Sequence, residues 1–310
     1  MEKKSFLTTT AGIFLTAMVC CMLWGSAFPS VKIGYALFRL DTEFVPNLIL
    51  YAGIRFTVAG VLCVIFGGLV RKKPLVPAKG AWGCVVLMGM IQTVLQYIFY
   101  YIGFANTTGV KGSIICGSNS FFSILFACFL FRQETFTLCK AIGCVLGFGG
   151  VVLINLTGGG LGGGFSLSGE GFLVCSTAAY ALSSVLMRAF GQKDDPVTIC
   201  AYQFLLGGTV LSLIGWGMGG EVRFHSAGCV LLMIYLGFIS AGAFSLWSIL
   251  LKYNPVSKVS IYSVMTPMFG VTFSMLFLDE GGQIAPLQIV AALALVTMGI
   301  YTINKPEKRA

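Results

Sequence analysis

The sequence predicts an all-α membrane protein whose ten transmembrane helices form two inverted five-helix repeats. Three observations predict it: a composition too apolar for water, ten successive stretches long enough to cross a bilayer, and a second half that reads as a diverged copy of the first. Of 310 residues, 57% are hydrophobic and only 10% are charged, whereas a soluble domain carries about 25% charged residues. Crossing the apolar core of a bilayer takes about 20 residues at 1.5 Å rise each. No stretch is left over that would form a separate soluble domain.

The first helix is expected over about 10–36. Lys3 and Lys4 before the apolar run Ala11 to Trp24 imitate a signal peptide. That run continues to Gly34, past any cleavage site, and has a counterpart later in the chain, so it is expected to stay as an uncleaved helix. Further spans come at about 46–70, 80–104, 111–131 and 136–156, then 169–190, 196–218, 226–251, 257–278 and 284–303. They are separated by Arg71-Lys72-Lys73-Pro74, a glycine run at 158–164, Lys193-Asp194-Asp195-Pro196 and Asp279-Glu280-Gly281-Gly282. The two repeats are therefore expected at 10–156 and 169–303.

Ten spans put both termini on one side. If that side is the cytoplasm, the outer positions hold only Lys32, Arg39, Lys111 and Arg223, and Arg55 lies within a span. The other fifteen of the 20 Lys and Arg residues then fall inside, as the positive-inside rule requires. The expectation is a multi-pass protein of the plasma or inner membrane with cytoplasmic termini and the lipid bilayer as its surroundings. The net charge of +9 does not point to nucleic acid, because the charges sit at helix ends rather than in a basic cluster. Eleven cysteines fall almost entirely in apolar runs with no metal-ligand spacing, and His225 is the single histidine. No metal, cofactor or catalytic residue is therefore expected.

The duplication is visible in the fourth and fifth spans against the ninth and tenth. Glu134 aligns with Glu280, Gly150 with Gly299 and Asn155 with Asn304. Arg55-Phe56 aligns with Gln203-Phe204, while Trp24 and Lys32 fall on Tyr180 and Arg188, each 156 positions on. An odd number of spans per repeat makes the second copy enter from the opposite side, the architecture on which alternating-access transporters are built.

Over essentially its whole length the chain resembles the EamA-type branch of the drug/metabolite transporter superfamily. The residues that carry the resemblance are Trp24-Gly25-Ser26-Ala27-Phe28 with Lys32, Arg55-Phe56, and Pro267 followed by Phe277-Leu278-Asp279-Glu280. The resemblance implies a secondary transporter, in the efflux direction, of small organic metabolites such as amino acids or related amphipathic compounds. It also implies a small-molecule substrate and admits a homodimer. One departure is Phe121, which stands where the family has a proline equivalent to Pro267. Without it the fourth helix is expected to be less kinked than the ninth.

Residues that are costly in lipid mark the candidate cavity. Arg55 in mid-span needs a partner or a wet cavity, so it reads either as a substrate contact or as a structural arginine bonded to carbonyls. Gln92, Gln96 and Tyr100 at i, i+4 and i+8 share one face with Tyr97 beside it, and the glutamines must look inward. Asn119, Tyr262 and Thr266 supply polar positions, and Trp24, Tyr180, Phe244 and Trp247 supply aromatic walls. Lys32 and Arg188 sit at opposite mouths, where they attract an anionic solute or anchor helix ends; Pro267 is a gating candidate. Gly143, Gly147 and Gly150 are assigned to helix packing.

All eleven acids fall in loops, helix ends or terminal segments, so no intramembrane proton relay is evident. Two alternatives remain beside the carrier. A sugar-phosphate or nucleotide-sugar exchanger wants several convergent cations, and only Arg55 is near. An intramembrane enzyme wants a catalytic set the spans do not hold, while a channel-like protein is open on the same architecture.

Overall fold

The structure is a computed structural model that describes residues 6–133, 135–156, 166–192, 194–278 and 286–303. Among the described residues ten helical segments succeed one another: α1 Thr10–Leu37, α2 Val45–Arg71, α3 Trp82–Ala105, α4 Gly109–Leu130, α5 Leu138–Leu156, α6 Leu167–Gly191, α7 Pro196–Gly217, α8 Ala227–Tyr253, α9 Lys258–Phe277 and α10 Pro286–Ile303. Eight are long and apolar enough to cross a membrane; α5 and α10, of 19 and 18 residues, are the shorter apolar pair. Glu134, Glu280 and Asn304, the glycine run at 158–164 and Lys193 lie outside the described residues.

Local chemistry sets the helix ends. Thr9, Thr108 and Ser226 each accept a hydrogen bond from the backbone N–H three residues on, capping α1, α4 and α8. Asp195 caps α7 in the same way, with Pro196 at its first position. Outward faces carry large apolar side chains such as Leu69, Val145, Leu276 and Leu287, as lipid contact requires.

Repeat-equivalent helices pack on each other. Along α2 and α7, Leu50 faces Gly215, Thr57 faces Gly208 and Gly60 faces Leu205, so the numbering rises on one helix as it falls on the other. The helices are antiparallel, as inverted repeats require. A Cβ on Gly60 would stand 2.6 Å from the Leu205 N, so only glycine allows the backbones this close. In α5 and α10 a Cβ on Gly299 would lie 2.5 Å from the Gly143 O and 2.9 Å from the Gly147 N, which puts those two glycines in helix packing.

The fourth and ninth helices are both irregular, and α9 carries a 3-10 turn at Ile261–Val264. Although α4 has no proline, its helix is interrupted at Ser118, between Gly109–Gly117 and Asn119–Leu125. The Ser118 hydroxyl turns back onto the Ile115 carbonyl at 2.7 Å. Pro267 of α9 packs against Gly117, where a Cβ would meet its ring at 2.8 Å. The proline on one helix thus seats in the break of its repeat partner. The wider π-type turns at Gly89–Leu95 in α3 and Phe126–Leu130 in α4 are further irregularities that composition does not announce.

At one end of the α2–α7 pair, Arg71 and Asp195 form an ion pair at 2.5 Å. Partial burial alone would raise the Asp195 carboxyl; the Arg71 guanidinium and the Thr198 hydroxyl and N–H outweigh it and hold it below the usual range. A carboxyl lowered in the folded state stabilises above its unfolded pKa, about 3.9, and that contribution is lost as pH falls through the folded value. Asp195→Ala is expected to cost about 1–2 kcal/mol at neutral pH, from the lost cap and the half-exposed pair. Thermal unfolding in detergent should show this gap to the unmodified protein narrowing below about pH 4. An unchanged gap at low pH would contradict the assignment.

Candidate functional site

The cavity lies where the two halves meet. Residues related by an internal two-fold touch each other only at its axis, and two such pairs do so. The rings of Trp24 and Tyr180 meet edge-on at 5.9 Å, and those of Phe56 and Phe204 lie 5.4 Å apart. Around this point α1, α2, α3, α4, α6, α8 and α9 leave a space of about 80 Å³. That is room for several waters, and below the roughly 300 Å³ of an ordinary ligand pocket.

Nine of the sequence-predicted residues line it: Trp24, Arg55, Gln96, Tyr97, Tyr100, Asn119, Tyr180, Phe244 and Thr266. Among the described residues Arg55 is its one charged lining side chain. Being the eleventh residue of α2, it stands about 15 Å along the helix. It donates from Nη1 to the Tyr101 hydroxyl at 2.9 Å, from Nη2 to the Ser240 hydroxyl at 3.1 Å and from Nε to the Leu236 carbonyl at 3.4 Å. All three acceptors are neutral. Among the described residues, four buried polar atoms on the lining have no hydrogen-bond partner: Trp24 Nε1, Gln96 Oε1, the Tyr180 hydroxyl and Thr266 Oγ1. In a low-dielectric interior each such group is costly, so their convergence on one space marks a site suited to a polar ligand.

Three predicted wall residues lie elsewhere. Gln92 is buried and accepts a 2.8 Å bond from the Gln203 side chain, an amide cross-link between α3 and α7. Trp247 stands behind the cavity with its ring 5.1 Å from Trp24. Tyr262 faces away and packs on Phe14 at 5.8 Å. Ser176, Thr177 and Cys116 also line the space and were not foreseen. Their signal was present: Ser176 and Thr177 precede Tyr180 by four and three positions, one helical face.

Lys32 and Arg188 lie outside the lining, and each bonds a carbonyl where the fourth helix of its own repeat begins. Lys32 Nζ donates to Thr107 O at 2.6 Å, just before α4. Arg188 Nη1 donates to Asn254 O at 2.7 Å, just before α9. Behind Lys32 is a feature the sequence did not reveal, a buried ion pair between Lys111 Nζ and Glu170 Oε1 at 3.3 Å. Glu170 also accepts from the Thr107 hydroxyl at 3.1 Å and the Ser166 N–H at 3.0 Å. This joins the starts of α4 and α6 across the end of α1. Pro267 seats against Gly117, beside the break in α4.

Residues 11–156 and 167–305 each match the EamA-like transporter family. The chain is similar to a WAT1-related chloroplastic protein of Arabidopsis thaliana, 27% identical over 92% of this chain and 67% of that one. It is likewise similar to an uncharacterized transporter of Bacillus subtilis, 27% identical over 98% and 95% of the two chains. An uncharacterized transporter of a Synechocystis strain is 26% identical over 99% and 94%. A solved crystal structure shares the fold with a TM-score of 0.68 at 21% identity, over 96% of this chain and 97% of that one.

Proposed function

The chain belongs to the EamA-like transporter family, and from that premise we propose that it carries small organic metabolites, amino acids or related amphipathic compounds, out of the cell by alternating access between inverted repeats. The repeat units are 10–156 and 169–303, and positive-inside charge places the termini in the cytoplasm and the Lys32 end outside. The observation that carries the reading is the cavity itself. It lies at the junction of the halves, is walled by repeat-equivalent Trp24 and Tyr180, and holds unpaired polar atoms.

The contacts at the two ends serve as the alternating seals. Lys32 on Thr107, backed by Lys111 and Glu170, closes the outer end, and Arg188 on Asn254 closes the inner. A single lining cation disfavours a sugar-phosphate or nucleotide-sugar exchanger, whose substrate brings two or more negative charges. Counterflow in proteoliposomes tests the carrier against the channel. Preloaded amino acid should drive transient, saturable uptake of labelled amino acid above the equilibrium level. Simple equilibration without overshoot is the channel's result. In cells, expression should speed the loss of loaded amino acid; faster accumulation overturns the direction.

A further inference from the structure

We propose that Arg55 is the docking cation for a carboxylate, so that the transported solute is a small carboxylic acid carrying a hydroxyl or amino group; that the bound acid is then carried across rests on the transport reading. A guanidinium in the interior of a membrane protein costs several kcal/mol unless its charge is met. The three acceptors on Arg55 satisfy hydrogen-bond geometry but bring no negative charge. The Phe56 ring, 5.2 Å from the guanidinium carbon, offsets a part of it.

A purely structural role does not require that charge, and the protein itself supplies the comparison. The repeat-equivalent position holds Gln203, fully buried and bonded to Gln92, which cross-links helices with a neutral amide and lines no part of the cavity. Of the two equivalent positions, the one that lines the cavity is the one that carries the cation.

The unpaired atoms complete the recognition. Trp24 Nε1 and the Tyr180 hydroxyl offer N–H and O–H donors to the same cavity, and Gln96 Oε1 offers an acceptor. Carboxylate oxygens take donors from a planar guanidinium with added specificity. The remaining acceptor takes a hydroxyl or amino hydrogen of the solute. A space of about 80 Å³ receives the polar head of such a molecule, and the aromatic wall of Trp24 and Phe244 receives its apolar remainder.

The test uses the full chain in detergent micelles, read by tryptophan fluorescence and thermal shift. The probes are lactate and phenyllactate against their amides, which keep the shape and remove the charge. The acids should bind at least about tenfold tighter than the amides, the size expected of one charge-assisted contact. Arg55→Gln, which installs the residue of the other repeat, should erase that preference, and Arg55→Lys should keep part of it. Equal binding of acid and amide overturns the proposal without any variant. So does a folded Arg55→Gln protein that still prefers the acids, or the absence of binding by either acid below about 10 mM. Counterflow separates the two claims. Transport of neutral or cationic solutes with no acid preference removes the carboxylate site and leaves the carrier. Acid binding without counterflow removes the carrier and leaves the site.

Discussion

Glu170→Gln is expected to destabilise the folded protein by about 3 kcal/mol or somewhat more, the cost of leaving a buried charge without its counter-ion. The side chains of Lys111 and Glu170 are 9% and 5% exposed, so water cannot take over the role of the lost carboxylate. Glutamine keeps an acceptor for the Thr107 hydroxyl or the Ser166 N–H, so the deficit measures the stranded Lys111 charge. The double variant Lys111→Met with Glu170→Gln removes that charge and should recover most of the loss, because a buried pair adds little beyond an apolar substitute. Thermal unfolding of the unmodified protein, the double variant and the two single variants, Lys111→Met included, gives the coupling directly. Hydrogen exchange should rise around the starts of α4 and α6 in the single variant and leave the Arg188 end as it was. If single and double variants unfold alike, the ion pair does not hold this end together.

The two ends of the bundle differ in the chemistry that holds them. The position 156 residues before Glu170 is Phe14, by the same offset that relates Trp24 to Tyr180. Phe14 packs its ring on Tyr262 of α9, whereas Glu170 binds Lys111 of α4. One end is thus tied by a buried ion pair and its repeat equivalent by an aromatic contact. An aromatic contact separates without stranding a charge, so of these two equivalent contacts the one at Glu170 should be the costlier to break.

Hydropathy and the offsets between halves were enough to read the helices and the inverted relation of the two halves. Each depends on residues close in sequence or on a repeated pattern. The break in α4 was not legible, because Pro267, whose effect was sought within its own helix, seats against Gly117 of another. The Lys111–Glu170 pair was hidden for a similar reason. Both residues stand at helix ends, where charges are ordinary, and only the fold brings them together. Within the cavity, the periodic face of α3 did point inward. Its first member, Gln92, turned to Gln203 instead, since an amide in lipid takes whichever partner the packing offers first.

Trp24→Ala is expected to give the second large effect, a loss of about 3 kcal/mol in stability together with loss of solute binding. The Trp24 ring touches Tyr180 at 5.9 Å, Phe244 at 5.3 Å and Trp247 at 5.1 Å, so its removal leaves three aromatic side chains facing a void. Such truncations cost about 3–5 kcal/mol in water-soluble cores. In a bilayer the transfer term is weak but the lost packing remains, which puts the expectation at the lower end. Trp24→Phe separates the two roles. It keeps a ring against the same neighbours and removes three heavy atoms rather than nine, among them Nε1, which has no partner among the described residues. Stability should therefore stay within about 1 kcal/mol, while carboxylate affinity falls about tenfold for one donor lost to a charged acceptor. Thermal unfolding and fluorescence titration of the two variants decide it. If Trp24→Phe binds carboxylates as the unmodified protein does, the indole N–H takes no part in recognition and Trp24 is a packing residue alone. If it loses affinity at unchanged stability, the ring at the internal axis both joins the repeats and reads the solute that passes between them.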